Sequence, residues 1–338
     1  MSIPATIPVT IPATMRALQQ TSRNGPQDMR LITDAPVPVP GRGEVLIRVT
    51  AAGINFADIS RAHGTFLDGP RPPYLAGFEA VGEVAAVGEE VTGPRPGTRV
   101  IGVGNGAFAE YMVLPAAAAM AVPGAWTEQQ TLGLVVNWPT ALAALKPLGG
   151  IAVGQTVLIH AAAGATGQAA VRMAKHYGAT VIATASAGKH ETVTALGADH
   201  VLDSVGGDLV AEVLRLTSGA GADLVLESAG GTTFEASLAA AKRVTGRVIV
   251  YGLAGGDATI TNWDLVYRHQ VHIIGLNIGV LMQAAPQIFG ELMAELFALI
   301  AAGVLTPGRP TAYDLADGAK ALAELEARAT IGKLALLP

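Results

Sequence analysis

The chain contains no cysteine among its 338 residues. That excludes disulfides, thiolate nucleophiles and every cysteine-ligated metal site in one step, and it fits a reducing compartment. Charge is sparse, with 22 basic and 27 acidic residues, a net charge of −5 and the basic residues scattered. A nucleic-acid footprint gathers lysine and arginine on one face, so no nucleic-acid partner is expected. Long hydrophobic runs are also missing. Mean hydropathy is +0.42, yet glycine, proline or charge breaks every apolar run before membrane-spanning length. No membrane partner is expected, nor a secretory signal with its basic and apolar regions. The expected location is the cytoplasm.

What is present suits a folded protein: half the residues are hydrophobic and 14% are charged, enough for two ordinary domains. The segment Ile3–Thr14, "IPATIPVTIPAT", is three near-copies of a tetrad. Prolines at 4, 8 and 12 preclude a helix, so residues 1–14 are expected to form a flexible Pro-rich extension.

The texture changes near position 140. Up to about Trp138, short β-like runs are broken by glycine and proline. In "EVLIRVT", Glu44–Thr50, Val45, Ile47 and Val49 alternate with polar residues, as a half-buried strand requires. From about Ile151 strand and helix patterns alternate: Val157–Ile159, Gln168–Tyr177, Thr180–Thr184, Lys189–Leu196, His200–Leu202 and onward to a sixth strand at His272–Leu276. That alternation predicts an α/β protein with a doubly wound parallel sheet. A helix over Ala285–Ala302 and a strand over Lys333–Leu337 are too few for a core of their own. They are expected to pack back on the first domain.

The turn "IHAAAGATGQAAV", Ile159–Val171, follows a strand and opens a helix. Its pattern Ala162-x-Gly164-x-x-Gly167 lacks the first glycine of a dinucleotide fingerprint. Gly164 lets the backbone approach a pyrophosphate, the helix N-terminus offers unpaired N–H groups from Ala165, Thr166 and Gly167, and Gly167 allows close helix–strand packing. The second strand ends in "TASAGK" without a carboxylate. An NAD site usually places Asp or Glu there for the ribose. The Ser186 hydroxyl and Lys189 ammonium would instead hold a 2′-phosphate, which favours NADPH; a solvated lysine in a first helical turn is the alternative for Lys189 alone.

Four motifs in order, "AAGINFAD" (51–58), "AGFEAVGEVAAVGEEV" (76–91), "VLIHAAAGATGQAAVRMAKHYGATVIATAS" (157–186) and "ALGADHVLD" (195–203), resemble the zinc-independent quinone oxidoreductase branch of the medium-chain dehydrogenase/reductase superfamily. The resemblance covers nearly the whole chain from Met15. It implies a GroES-like β-rich catalytic domain over 15–138, a Rossmann NADP-binding domain over 139–277, and a C-terminal return over 278–338. Zinc-dependent relatives carry Cys–His–Thr–Asp where this chain has Asn55-Phe56-Ala57-Asp58, and Gly–His–Glu where it has Gly77-Phe78-Glu79. Asn55 and Phe78 cannot serve as such ligands, so no catalytic metal is expected.

The resemblance also implies roles. Asn55 would lie beside the nicotinamide and the reacting carbonyl, its amide donating to a developing oxyanion, or else would order its loop. Asp58 would hold the loop. Thr140, Ser228, Gly252, Leu253 and the segment Leu276, Asn277 and Ile278 would line the cofactor groove. Lys333 would approach the cofactor or be a solvated lysine. His160 would be a core-edge residue or touch the cofactor. Where many quinone reductases and enoyl-thioester reductases have a tyrosine, this chain has Phe66, which has no proton to give. Tyr74 is the nearest tyrosine that would substitute, or a packed aromatic.

Without a Lewis acid, alcohol oxidation loses its means of stabilising an alkoxide. Hydride transfer to a quinone or an α,β-unsaturated carbonyl needs less help, because conjugation spreads the developing charge. The expected protein is an NADPH-dependent reductase of such a small molecule, working as a homodimer as relatives do. An enoyl-thioester reductase of lipid or polyketide metabolism is the near alternative, although Arg61, Arg71 and Arg95 look too scattered for a basic entrance. A non-catalytic NADPH-binding sensor or scaffold is the third.

Overall fold

Period-two alternation decides the first half of the fold. In the strand Glu44–Ile54, Val45, Ile47 and Val49 are buried while Arg48 is exposed. The structure, a computed structural model, describes residues 11–67 and 69–338. Residues 1–10 of the expected Pro-rich extension lie outside the described residues.

Two compact units divide the chain, one built from the residues before Val136 together with Pro307–Pro338, the other from Val136–Thr306. The first unit begins with β1 (Thr14–Gln20), β2 (Met29–Pro36), β3 (Glu44–Ile54), helix α1 (Phe56–Ala62), β4 (Tyr74–Leu75), β5 (Glu79–Val87), β6 (Arg99–Val103), β7 (Tyr111–Pro115) and β8 (Met120–Ala121). The second unit runs α2 (Asn137–Leu145), β9 (Thr156–Ile159), α3 (Ala165–His176), β10 (Thr180–Ala185), α4 (His190–Ala195), β11 (His200–Asp203), α5 (Leu209–Leu216), β12 (Leu224–Glu227), α6 (Gly231–Ala240), β13 (Arg247–Val250), β14 (His272–Gly275), α7 (Ile278–Ala284) and α8 (Pro286–Ala301). The chain then returns to the first unit as β15 (Thr311–Asp314), α9 (Gly318–Glu326) and β16 (Leu334–Leu337).

In the first unit, seven strands form a sheet in the order β15-β16-β3-β5-β6-β8, with β7 also on β3; a small sheet β2-β1-β4 accompanies it. Val45, Ile47, Phe108, Met112, Leu114 and Leu336 belong to its main core. Strand β16 runs antiparallel to β3, pairing Leu334 with Ile54 and Ala335 with Gly53. That register brings Lys333 to the end of β3.

The second unit holds six parallel strands in the order β11-β10-β9-β12-β13-β14. This is the doubly wound sheet expected from the alternation. The order reverses between β9 and β12, so the glycine turn after β9 and Ser228 after β12 share the carboxyl edge where such sheets bind ligands. At Gly167 the turn is tight: a Cβ would come within 2.4 Å of the Ala161 carbonyl oxygen and 2.6 Å of the Ala162 Cα.

The apolar helix expected to return to the first domain does not do so. It is α8, and it stays in the second unit, burying Leu292, Leu296 and Leu299 and touching α2 and α7. Only the segment from Pro307 returns. Among the described residues no single helix is long and apolar enough to cross a membrane.

The close approach at Gly167 has a measurable consequence. Gly167→Ala is expected to lower unfolding stability by about 2 kcal/mol, the usual size of an overpacking penalty. Urea denaturation checks it, and an unchanged midpoint would contradict the packing described.

Candidate active site

The end of β3 carries a buried polar cluster drawn from distant parts of the chain. Asn55 follows β3 and sits at the N-terminus of α1; it is 6% exposed, Glu79 0% and Lys333 8%. Glu79 Oε2 accepts hydrogen bonds from Lys333 Nζ at 2.6 Å and from Asn55 Nδ2 at 2.8 Å. Lys333 Nζ also donates to Asn55 Oδ1 at 2.7 Å. The second Asn55 amide hydrogen points to the Gly53 carbonyl at 3.3 Å, and Glu79 Oε1 accepts the Gly133 N–H at 2.5 Å. The carboxylate on one side and the ammonium on the other fix which way the Asn55 amide faces. Lys333 is therefore not the solvated lysine of the alternative reading.

Asp58 extends the cluster. Its Oδ2 accepts the Asn55 backbone N–H at 2.8 Å, the reciprocal contact of a helix cap, while Oδ1 is buried without a hydrogen-bond partner. Burial pushes its carboxyl up to about 7, against the Asn55 hydrogen bond and the Arg61 and Lys333 charges. Tyr74, on β4, is half-buried; its phenol is held above its ordinary value by burial first and then by Asp58. Phe66 and Phe78 enclose the Arg61 guanidinium, whose carbon lies 5.1 Å and 4.5 Å from their ring centres.

In the second unit the glycine turn makes an open helix start. Gly164 is the N-cap of α3 with no side-chain cap, so the first N–H groups, from Ala165, Thr166 and Gly167, lack capping side chains. A Cβ at Gly164 would meet only the Ala161 oxygen at 3.3 Å, which leaves this face accessible to a ligand. The left-handed residue of the turn is Ala161, with φ of 49°, rather than Ala162 in the first-glycine position. Ser186 follows β10, and Lys189 ends a 3-10 turn; both are half-buried, and burial lowers the Lys189 pKa. An anion beside that ammonium would offset the desolvation. A Cβ at Gly252 would lie 2.4 Å from the Ser228 carbonyl oxygen, so these two strand ends adjoin, with Leu253 half exposed beyond them. Leu276 is buried, and Asn277 caps α7 by accepting from the Gly279 and Val280 N–H groups just beyond Ile278. The Thr140 hydroxyl donates to the Val136 carbonyl at 2.6 Å and keeps its acceptor lone pairs.

His160 is a core residue. It is 2% exposed, and burial lowers its pKa to about 4, so it is neutral at pH 7. Ser237 donates to the Thr233 carbonyl and so accepts from His160 Nε2–H at 2.9 Å; Nδ1 then accepts from the Thr184 hydroxyl at 3.1 Å. Two buried carboxylates were not singled out from the sequence as site residues: Glu79, and Glu227, which accepts the Ala229 and Gly230 N–H groups. For Glu79 the available signal was its place in the Gly77-Phe78-Glu79 run, where zinc-dependent relatives carry Gly–His–Glu; Glu227 left none. Among the described residues no group of three or more His, Cys, Asp or Glu is placed to hold a metal ion.

Two family models match the chain: "Alcohol dehydrogenase GroES-like domain" over residues 41–124 and "Zinc-binding dehydrogenase" over 165–298. A mycobacterial protein solved in complex with NADPH is 34% identical, with a TM-score of 0.90 over 96% of this chain and 100% of its own. The Escherichia coli quinone oxidoreductase complexed with NADPH is 28% identical, with a TM-score of 0.89 over 96% of this chain and 100% of its own. The chain belongs to the quinone oxidoreductases of the medium-chain dehydrogenase/reductase superfamily. The rat synaptic vesicle membrane protein VAT-1 homolog is also similar, 30% identical over 96% of this chain and 84% of its own length. For this quinone oxidoreductase relative, the polar cluster on β3 and the open start of α3 are the features that can carry chemistry.

The buried Asp58 carboxyl predicts a pH dependence. Its proton stays bound in the folded protein up to about pH 7 but leaves the unfolded chain near 4. The Asp58 contribution to stability is thus complete below about pH 4 and is lost as pH rises towards 7. Asp58→Asn is expected to remove that decline. Urea midpoints for both proteins from pH 4.5 to 8 check it, and identical slopes would refute the assignment.

Proposed function

We propose that this protein is a zinc-independent, NADPH-dependent reductase that transfers hydride to a quinone or an α,β-unsaturated carbonyl. The observation that carries it is the uncapped start of α3 at Gly164 in the same unit as half-buried Ser186 and Lys189, with no carboxylate ending β10. That combination suits a pyrophosphate and a 2′-phosphate. Membership in a family with NADPH-bound relatives supports it.

Bound NADPH supplies the hydride. Around it, the N–H groups of Ala165, Thr166 and Gly167 take the pyrophosphate, and the Ser186 hydroxyl and Lys189 ammonium take the 2′-phosphate. Thr140, Ser228, Gly252, Leu253, Leu276, Asn277 and Ile278 line its path. Asn55 polarises the substrate carbonyl, and Lys333 approaches the cofactor while its ammonium holds the Asn55 amide in place. Both Asn55 amide hydrogens are engaged, so donation to an oxyanion replaces the longer contact to Gly53 rather than the one to Glu79. Tyr74 keeps its proton at neutral pH and serves as the donor to the enolate. The family resemblance supports a homodimer, with the segment around Leu276, at the end of the edge strand β14, as the pairing region. The absence of cysteine supports a cytoplasmic location.

Oxidation of NADPH by the purified protein with an o-quinone, a simple enone and an enoyl thioester tests the reading. Turnover of the quinone or enone is expected. Thioester-only turnover would move the protein to lipid or polyketide metabolism, and NADPH binding without any turnover would make it a sensor or scaffold. Separately, Lys189→Ala is expected to raise the Kd for NADPH by about tenfold or more, or about 1.4 kcal/mol. Equal affinity of the unaltered protein for NADH and NADPH would refute the phosphate assignment.

A further inference from the structure

Two helices of the second unit begin beside the point where the strand order reverses, and they begin differently. Helix α3, after β9, starts at Gly164 with no side-chain cap and no carboxylate at hand. Helix α6, after β12, starts at Gly230, which has no side chain to cap it, but the last residue of β12 closes it. Glu227 Oε1 accepts the Ala229 N–H at 2.8 Å, and Oε2 accepts the Gly230 N–H at 3.0 Å. The carboxylate thus sits where the positive end of α6 would otherwise attract an anion. It does so at a cost. Glu227 is 0% exposed, and burial pushes its carboxyl up, against those two hydrogen bonds. The other fully buried glutamate, Glu79, has the Lys333 ammonium beside it; for Glu227 the compensation comes from backbone N–H groups and a helix end.

What the carboxylate holds is a pair of interlocked loops, 228–231 after β12 and 252–256 after β13. The Gly231 N–H donates to the Gly256 carbonyl at 3.0 Å, the Ala254 N–H to the Ser228 carbonyl at 3.4 Å, and the Gly255 N–H to the Ala229 carbonyl. Gly230 and Gly231 are both left-handed, with φ of +71° and +51°. A Cβ on Gly230 would fall 2.2 Å from the Gly256 carbonyl oxygen, and one on Gly231 would fall 2.6 Å from that of Gly255. Loops packed this closely move together, so fixing the Ala229 and Gly230 N–H groups also fixes Ser228, Gly252 and Leu253. We propose that Glu227 is a positioning residue for the cofactor: it closes the start of α6 to phosphate and sets both loops, so that the phosphates go to α3 and the nicotinamide riboside half goes to the ends of β12 and β13. This rests on the NADPH reading above.

Titration calorimetry on the full chain tests this by comparing NADPH with 2′,5′-ADP, which keeps the adenosine and its 2′-phosphate but lacks the nicotinamide riboside. Glu227→Gln preserves size but turns an amide donor on the two N–H groups. It is expected to raise the Kd for NADPH about tenfold or more and that for 2′,5′-ADP by less than about twofold. Gly231→Ala disturbs the same loops through the Gly255 carbonyl and leaves the carboxylate in place, so it is expected to shift the same ratio in the same direction. The ratio of the two Kd values is the readout, because damage to the unit as a whole weakens both ligands alike. Tight NADPH binding by the unaltered protein with a ratio unchanged in Glu227→Gln would overturn the proposal and leave the NADPH reading intact. Should that variant fail to fold, Gly231→Ala decides, and an unchanged ratio overturns the proposal. If the unaltered protein binds neither ligand, the NADPH reading fails and the proposal falls with it.

Discussion

The buried ion pair between Glu79 and Lys333 is the constraint on which the first unit's geometry depends. Two charges taken out of water are tolerated only when their remaining lone pairs and protons are also satisfied. Here one carboxylate oxygen serves both Lys333 and Asn55, and the other takes the Gly133 N–H. The pair therefore fixes the end of β3, the start of β5, the approach to β16 and the segment around Gly133 at once. Gly53 is part of the same arrangement, because a Cβ there would fall 2.6 Å from Glu79 Oε2 and 2.9 Å from Lys333 Cε. Loss of either partner would leave a buried charge uncompensated, typically a cost of about 3–5 kcal/mol.

The second unit solves the same problem without charge. Behind the glycine turn, His160 links Thr184 and Ser237 as a neutral imidazole with the proton on Nε2. The network joins the end of β9 to β10 and α6, so the turn after β9 is braced from behind while the start of α3 stays open. A cationic histidine there would have added charge behind the open start of α3 but at a large desolvation cost; burial rules that form out at neutral pH.

Regular elements were legible in the sequence because their side chains repeat with the backbone. The alternation of Val45, Ile47 and Val49, and the strand–helix rhythm from Val157 to Leu276, lead directly to the observed sheets. Contacts that depend on register were not legible. Asn55, Glu79 and Lys333 meet only because β5 and β16 flank β3 antiparallel, and no local pattern shows that Glu79 joins them. The destination of α8 was equally hidden, since an apolar helix suits either unit until Leu292, Leu296 and Leu299 find their neighbours. Ala161 shows the same limit at one residue: its left-handed backbone, costly for alanine, leaves no mark in the sequence.

These constraints bear on which chemistry the polar cluster can support. Glu79 and Lys333 cancel one another, and Asn55 spends its amide on holding that balance. Such a cluster orients a carbonyl but offers little net positive charge to an oxyanion, far less than a divalent metal would. Asp58 does not improve matters: below about pH 7 it is neutral, and above that it adds negative charge beside the site. A substrate whose own conjugation disperses the developing charge fits this weak field, whereas an unactivated ketone would need stabilisation that the cluster does not provide. The charge balance of Asn55, Glu79 and Lys333 thus suits the electron-poor acceptors of the proposed reaction, independently of how the nucleotide is held.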